Sequence, residues 1–234
     1  MDRAMGWQGE EREVRVAAGP VMLEGKLNWP EEARGVVLFA HGSGSSRLSP
    51  RNRHVARLLN ETKLATLLID LLTADEEAVD QRTAHLRFDI GLLAERLVGA
   101  TDWLTRQPDT RDLRIGYFGA STGAGAALVA AAERPHVVGA VVSRGGRPDL
   151  AGLTLARVRA PTLLIVGGHD FQVIELNRAA LAQLRCEKRL AIVPGATHLF
   201  EEPGALDEVA RLAREWFERH LTSAEARATG VSTS

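Results

Sequence analysis

Two hydrophobic rhythms alternate along this chain. Residues 36–40, 65–70, 115–120, 137–142, 162–166 and 189–193 are short apolar runs rich in β-branched residues, the pattern of strands buried on both faces. Between them lie longer stretches with apolar residues every three or four positions, the spacing of a helix with one buried face. In 88–105 these are Leu92, Leu93, Leu97, Val98, Ala100, Trp103 and Leu104, and near the end Val209, Leu212, Ala213, Trp216 and Phe217 mark a helix over 206–220. Further helices are expected over 51–60, after residue 121, and over 173–184. Upstream, 13–16 and 21–27 read as a hairpin around Ala18-Gly19-Pro20. Residues 71–87 form a long polar connection in which 73–77 can cap a short turn.

Strands that alternate with helices imply βαβ units, hence an α/β protein with a mostly parallel sheet and helices on both faces. One domain over 12–221 is expected, with 1–11 and 222–234 as flexible ends. The chain has 234 residues, 45% hydrophobic and 25% charged, enough for one sizeable core. Its net charge of -1 gives no electrostatic case for nucleic acid or an anionic membrane. No apolar stretch approaches the roughly 20 residues of a membrane span, and the polar first residues lack a signal-peptide core. A cytoplasmic protein is expected. The single cysteine, Cys186, excludes an intramolecular disulfide and a cysteine-rich zinc site, and it reads as structural.

The stretch with chemistry in it is Ile115-Gly116-Tyr117-Phe118-Gly119-Ala120-Ser121-Thr122-Gly123-Ala124-Gly125-Ala126-Ala127. An apolar run turns on Gly-x-Ser-x-Gly and enters an alanine-rich helix, the form of a nucleophile elbow. A serine on so sharp a turn needs neighbours without bulk, and the helix N-terminus favours negative charge on an attacked carbonyl. Gly119, Gly123 and Gly125 also spell a dinucleotide-binding pattern, but that pattern belongs near a first strand and needs a tyrosine and lysine four residues apart. No Lys-Ser/Thr follows the glycines, so a P-loop is excluded. A packing turn of small residues remains the plain alternative.

Several other chemistry-bearing residues close predicted strands: His41-Gly42, Arg144, Asp170 and His198. Ligands of open α/β sheets bind at the carboxyl ends of strands, so these residues should meet Ser121 on one edge. A serine needs a base to take its proton, and the base needs an acid to orient it. Ser121, Asp170 and His198 come in the chain order of an α/β hydrolase. Taken singly, Asp170 could be a helix N-cap, His198 a surface residue, and His41 a residue steering its loop.

On Gly119-Ala120-Ser121-Thr122-Gly123, Gly167-Gly168-His169-Asp170, Gly195-Ala196-Thr197-His198 and His41-Gly42-Ser43, the chain resembles the dienelactone-hydrolase-like α/β hydrolases over roughly 12–220. Dienelactone hydrolases proper have cysteine at the elbow where this chain has serine, so their substrate does not carry over. The resemblance implies an α/β-hydrolase fold and esterase-type acyl transfer to water, without cofactor or metal, on a small ester, lactone or thioester. Oxyanion donors would be the backbone N–H groups of Thr122 and Ser43, although the Gly-Ser-rich loop after His41 could instead cradle a phosphate. The stretch between residues 142 and 161 is too short for a separate cap domain, which leaves 71–87 as the candidate cover. Arg47 and Arg144 are candidate substrate-binding residues for a carboxylate, against the alternative of surface arginines paired with acids such as Asp149. A non-catalytic receptor or scaffold and an acyltransferase are the rival readings, and nothing in the sequence sets an oligomeric state.

Overall fold

The computed structural model describes residues 9–222. A two-residue turn, with Gly19 at φ 63°, joins the antiparallel strands β1 (Gly9–Ala18) and β2 (Val21–Pro30). Then follow β3 (Gly35–Ala40), helix α1 (Pro50–Asn60), β4 (Leu64–Ile69), α2 (Ala74–Thr83) and α3 (Ile90–Leu104). The second half is β5 (Ile115–Ala120), α4 (Thr122–Glu133), β6 (Val138–Arg144), β7 (Thr162–Gly167), α5 (Phe171–Gln183), β8 (Lys188–Val193) and α6 (Ala205–Phe217). All strands lie in one eight-stranded sheet of order β1-β2-β4-β3-β5-β6-β7-β8. β2 meets β4 antiparallel, and every pair from β4 to β8 is parallel.

The sequence rhythms have a direct cause in this layering. β3, β4, β5, β6 and β7 are buried at every position because helices cover both faces. One face carries Leu93, Leu97 and Leu104 of α3 with the alanines of α4, and the other carries Val55 and Leu59 of α1 with Val209 and Phe217 of α6. The outer strand β1 is exposed over most of its length, which is why it lacks an apolar run.

Two expectations need correction. β1 begins at Gly9, paired with Pro30, so residues 9–11 are strand rather than a loose end; residues 1–8 and 223–234 lie outside the described residues. The 71–87 connection holds a ten-residue helix rather than a short turn. Helix α2 has no apolar stripe to reveal it. Its support is polar: the Thr73 hydroxyl accepts the Glu76 N–H while the Glu76 carboxylate accepts the Thr73 N–H. Glu76 also pairs with Arg96 at 2.6 Å, and the buried Asp80 accepts Arg87 Nε at 2.5 Å. Between β6 and β7, only short turns over Pro148–Arg157 intervene, so no cap domain is inserted there.

Candidate active site

Ser121 sits between β5 and α4 at φ 50° and ψ -122°, a backbone conformation that L-residues rarely adopt. Close packing holds it there. A Cβ on Gly119 would lie 2.5 Å from Ala124 Cα, and one on Gly123 would lie 2.4 Å from the carbonyl oxygens of both Ala40 and His41. Gly123→Ala should therefore force α4 away from the end of β3, at a cost of about 2–3 kcal/mol for an overpacked site. A chemical denaturation series checks this, and an unchanged midpoint would show that the loop yields freely. Ser121 occupies the N-cap of α4 without a side-chain capping bond, so the helix does not tie up its hydroxyl.

Asp170 follows β7 and stands at the N-cap of α5, yet its side chain makes no capping bond either. Its carboxylate instead reaches His198 Nδ1 at 2.6 Å. Asp170 is largely buried and the His198 ring is 40% exposed, so the acid is sheltered while the imidazole faces solvent. An ionised carboxylate only accepts, so Nδ1 carries the proton and Nε2 is left free as a base. The two residues are brought together across 28 positions of sequence. The ring also approaches Gly145: a Cβ there would be 3.6 Å from His198 Cε1. Gly145 adjoins Arg144, whose carbonyl accepts the Ser121 N–H at 3.3 Å. Serine and histidine thus flank one backbone turn, with no direct hydrogen bond between them among the described residues.

On the other side of Ser121 runs the loop after β3. A Cβ on Gly42 would lie 3.0 Å from Ser121 Cβ, so the loop passes against the serine. His41 is 9% exposed, and burial pushes its imidazole below the ordinary histidine range. Its Nε2 accepts the Leu71 N–H at 3.0 Å, which leaves Nδ1–H to donate to the Gly42 carbonyl at 3.0 Å. His41 steers the loop as a neutral ring. The Ser43 N–H donates to Thr122 Oγ1 at 3.1 Å, and the two hydroxyls lie 2.9 Å apart. This latch between residues 79 apart was not legible in the sequence. The Arg87 carbonyl, 3.4 Å from Ser43 Oγ, ties the loop to the segment after α2.

The arginines have different settings. Arg47 forms an ion pair with Asp70, which also accepts the Arg47 N–H at 2.7 Å. Arg147, not Arg144, pairs with Asp149, at 2.7 Å. Arg144 is buried, donating from Nη2 to Asn52 Oδ1 at 3.2 Å and lying over the Phe200 ring. A cavity of about 800 Å³ lies against the loop after β3, and Ser121, Asp170 and His198 are not among the residues that line it. Its walls come from the 44–49 loop, Pro50 and Arg51 at the start of α1, the 70–77 segment, His41, Met22 and Glu24, with Arg47 on the loop. Two exposed apolar residues, Phe171 and Leu199, directly follow Asp170 and His198. In the sequence the only sign of them is an apolar residue after each polar one. No cluster of His, Cys, Asp and Glu suited to a metal occurs among the described residues, and none of their helices is long and apolar enough to cross a membrane.

A mostly parallel sheet clothed on both faces by helices, with a serine elbow and an Asp-His pair at its carboxyl edge, is the α/β-hydrolase fold. The comparisons with known proteins narrow this. The dienelactone hydrolase family model matches residues 26–224, and the chain belongs to that family. It is 67% identical to the dienelactone hydrolase of Anabaena variabilis in its crystal structure, with a TM-score of 0.90 over 92% of this chain and 99% of that one. It shares the fold of Est1E from Butyrivibrio proteoclasticus at 16% identity and a TM-score of 0.74, over 89% of this chain and 98% of that one. A Mycobacterium tuberculosis protein, provisionally named a phosphoribosyl transferase, is 61% identical over 211 residues. That stretch is 90% of this chain and 47% of the relative, so the chain spans about half the length of the curated relatives it matches first.

Proposed function

We propose that the protein is a serine hydrolase that cleaves small esters, lactones or thioesters through an acyl-enzyme. Ser121 Oγ attacks the carbonyl carbon while His198 Nε2 takes its proton. The N–H groups of Thr122 and Ser43 hold the oxyanion, the latter once the Thr122 hydroxyl turns aside. His198 then protonates the leaving alcohol or thiol. Water repeats the sequence on the acyl-serine and regenerates the hydroxyl. Asp170 keeps the imidazole in the tautomer that leaves Nε2 as the base. Serine–base hydrogen bonds are commonly long in the free enzyme and tighten on substrate.

The observation that carries this reading is the Asp170 carboxylate on His198 Nδ1, at a helix N-terminus where it could have capped and does not. The phosphoribosyl transferase designation belongs to a relative about twice as long and is not carried over to this chain. A small-molecule substrate and a cytoplasmic setting are part of the proposal. An active-site fluorophosphonate probe tests it, because a receptor or scaffold would not be labelled at Ser121. Ester hydrolysis measured against transfer to added alcohols separates hydrolase from acyltransferase.

Cys186 provides a control on which residue attacks. It is half-buried just before β8, at the sheet edge opposite Ser121, with Sγ 3.7 Å from Thr162 Oγ1. Burial pushes its thiol above the ordinary cysteine range, the reverse of an activated nucleophile. Cys186→Ser should keep esterase turnover within about twofold, as expected of a substitution far from the chemistry. A large loss in steady-state assays would move the attacking role away from Ser121.

A further inference from the structure

Ser121 and His198 make no hydrogen bond to each other among the described residues, so another contact must set the distance between them. Ser121 is fixed on the elbow by the close packing of Gly119 and Gly123. His198 stands on the irregular 194–204 connection between β8 and α6. Whatever holds that connection decides where the imidazole sits. Of its residues only Ala196 and Phe200 are buried, so the Phe200 ring is its one large anchor. Phe200 has φ 57°, a left-handed conformation that a residue with a side chain keeps only when its surroundings impose it. The surroundings are Gly145 and Arg144. A Cβ on Gly145 would lie 3.3 Å from Phe200 Cε2 and 3.1 Å from the His198 carbonyl oxygen, so the connection rests directly on this glycine. Arg144 Cζ lies 5.9 Å from the centroid of the Phe200 ring, within reach of a cation–π contact.

Arg144 is an unusual residue to find there. It is 6% exposed, and its partners are the Asn52 amide oxygen at 3.2 Å and the aromatic face. Its Nε is buried without a hydrogen-bond partner. Burial, and after it the neighbouring Arg51 charge, push Arg144 down to about 10, so the guanidinium still carries its proton at neutral pH. A buried charge without an acid costs stability, and an apolar chain of similar length would fill the space at lower cost. Stability does not account for this residue. Arg144 is not among the residues that line the large cavity, so a ligand there does not account for it either. What it has is a place between the two reacting groups. It ends β6 in register with Ala120, and its carbonyl accepts the Ser121 N–H at 3.3 Å. Its side chain, held by Asn52 in the first turn of α1, lies under the loop of His198.

We infer that Arg144 is a positioning residue: its main chain holds Ser121, its side chain seats Phe200, and through Phe200 it sets where His198 stands relative to the serine. This rests on the hydrolase reading and assigns that reaction a further residue. Other contacts also join α1 to this side of the molecule. Arg51 meets Glu201 at 3.1 Å and His54 meets Asp207 at 2.7 Å, but both carboxylates are exposed and such pairs hold weakly. A reacting pair must be held to within about 0.5 Å, which calls for a buried seat rather than surface pairs.

Two variants approach the contact from its two sides. Arg144→Met keeps the chain length and removes the charge, and Phe200→Leu keeps an apolar anchor and removes the aromatic face. With a neutral para-nitrophenyl ester, each should lower kcat about tenfold and leave KM within about twofold, a displacement short of the 1 Å that costs about a hundredfold. Fluorophosphonate labelling should slow by a similar factor. Because both variants break one contact, the double variant should be no slower than the slower single one. Arg144→Lys keeps a cation at the ring and should recover part of the lost kcat. Arg144→Met is expected to melt no lower than the wild type, since an uncompensated charge is removed. The kcat and labelling rates decide. A lower melting temperature with both rates unchanged would make Arg144 merely structural and overturn the inference. Should Arg144→Met fail to fold, Arg144→Lys and Phe200→Leu decide on the same rates.

A readout independent of turnover is the proton on His198 Nδ1. Bonded to Asp170 at 2.6 Å, it should give a low-field proton NMR signal, assigned by its loss in His198→Gln. In Arg144→Met and Phe200→Leu that signal should shift or broaden as the loop loosens. A wild type that is labelled and turns over esters, with variants that match it or with fully additive losses in the double variant, overturns the positioning role and leaves the hydrolase standing. A wild type with neither labelling nor turnover sinks the hydrolase reading. The NMR signal then decides the seat alone: unchanged in both variants it overturns the seat, and altered in both it supports it.

Discussion

Ser121→Ala is expected to fold like the wild type and to lose ester turnover by a factor on the order of a million, the usual cost of removing a triad serine. The fold should survive because the hydroxyl makes no capping bond to α4, and alanine meets the same backbone demand at φ 50° as serine does. The chemistry should not survive. Without Oγ no acyl-enzyme forms, and His198 can only act weakly on water. Residual rate would come from oxyanion donors and binding alone. The measurement is steady-state hydrolysis beside a thermal melt of the same preparation. Wild-type turnover in a well-folded Ser121→Ala protein would remove serine from the mechanism, and Cys186→Ser would then be read for where the attack moved.

Asp170→Asn is expected to lower kcat by about ten-thousandfold and to change KM far less, because the residue acts on the imidazole and not on the substrate. An asparagine at the same place can present its amide N–H to Nδ1. That turns the ring to the tautomer with its proton on Nε2, where no base remains. The same substitution tests the plain alternative. A mere helix cap would lose stability and keep activity, but the carboxylate makes no capping bond to α5, so the melting temperature should move little. A kinetically silent Asp170→Asn would require another carboxylate to orient His198.

Both predictions concern residues already conspicuous in the bare sequence, and the reason is local. The elbow needs Gly119 and Gly123 because strand and helix pass within contact of Ser121, so the motif is contiguous. Asp170 and His198 each stand just beyond a strand that the apolar runs 162–166 and 189–193 mark out. Since parallel strands end on one edge, strand ends alone bring distant residues to one side of the sheet.

What the chain determined by itself was the set of elements whose hydrophobic pattern is self-contained: the buried strands, the helices with one apolar face and the elbow. Tertiary structure decided whatever depends on partners far along the chain. Helix α2 has no apolar stripe and is held by the Thr73–Glu76 cap and by pairs with Arg96 and Arg87. As a lone residue after a strand Asp170 reads equally as a cap or as an acid for a histidine, and only the tertiary structure brings its carboxylate to His198, 28 positions away. The Ser43–Thr122 latch spans 79 positions. Arg47 and Arg144 looked alike as arginines past strand ends, but Asp70 neutralises the first, while the second is buried against Asn52 and Phe200 without an acid. Hydrophobic periodicity records which face of an element is buried. It carries no record of which polar group another element will bring to meet it, because a hydrogen bond or ion pair depends on one contact rather than a repeating pattern.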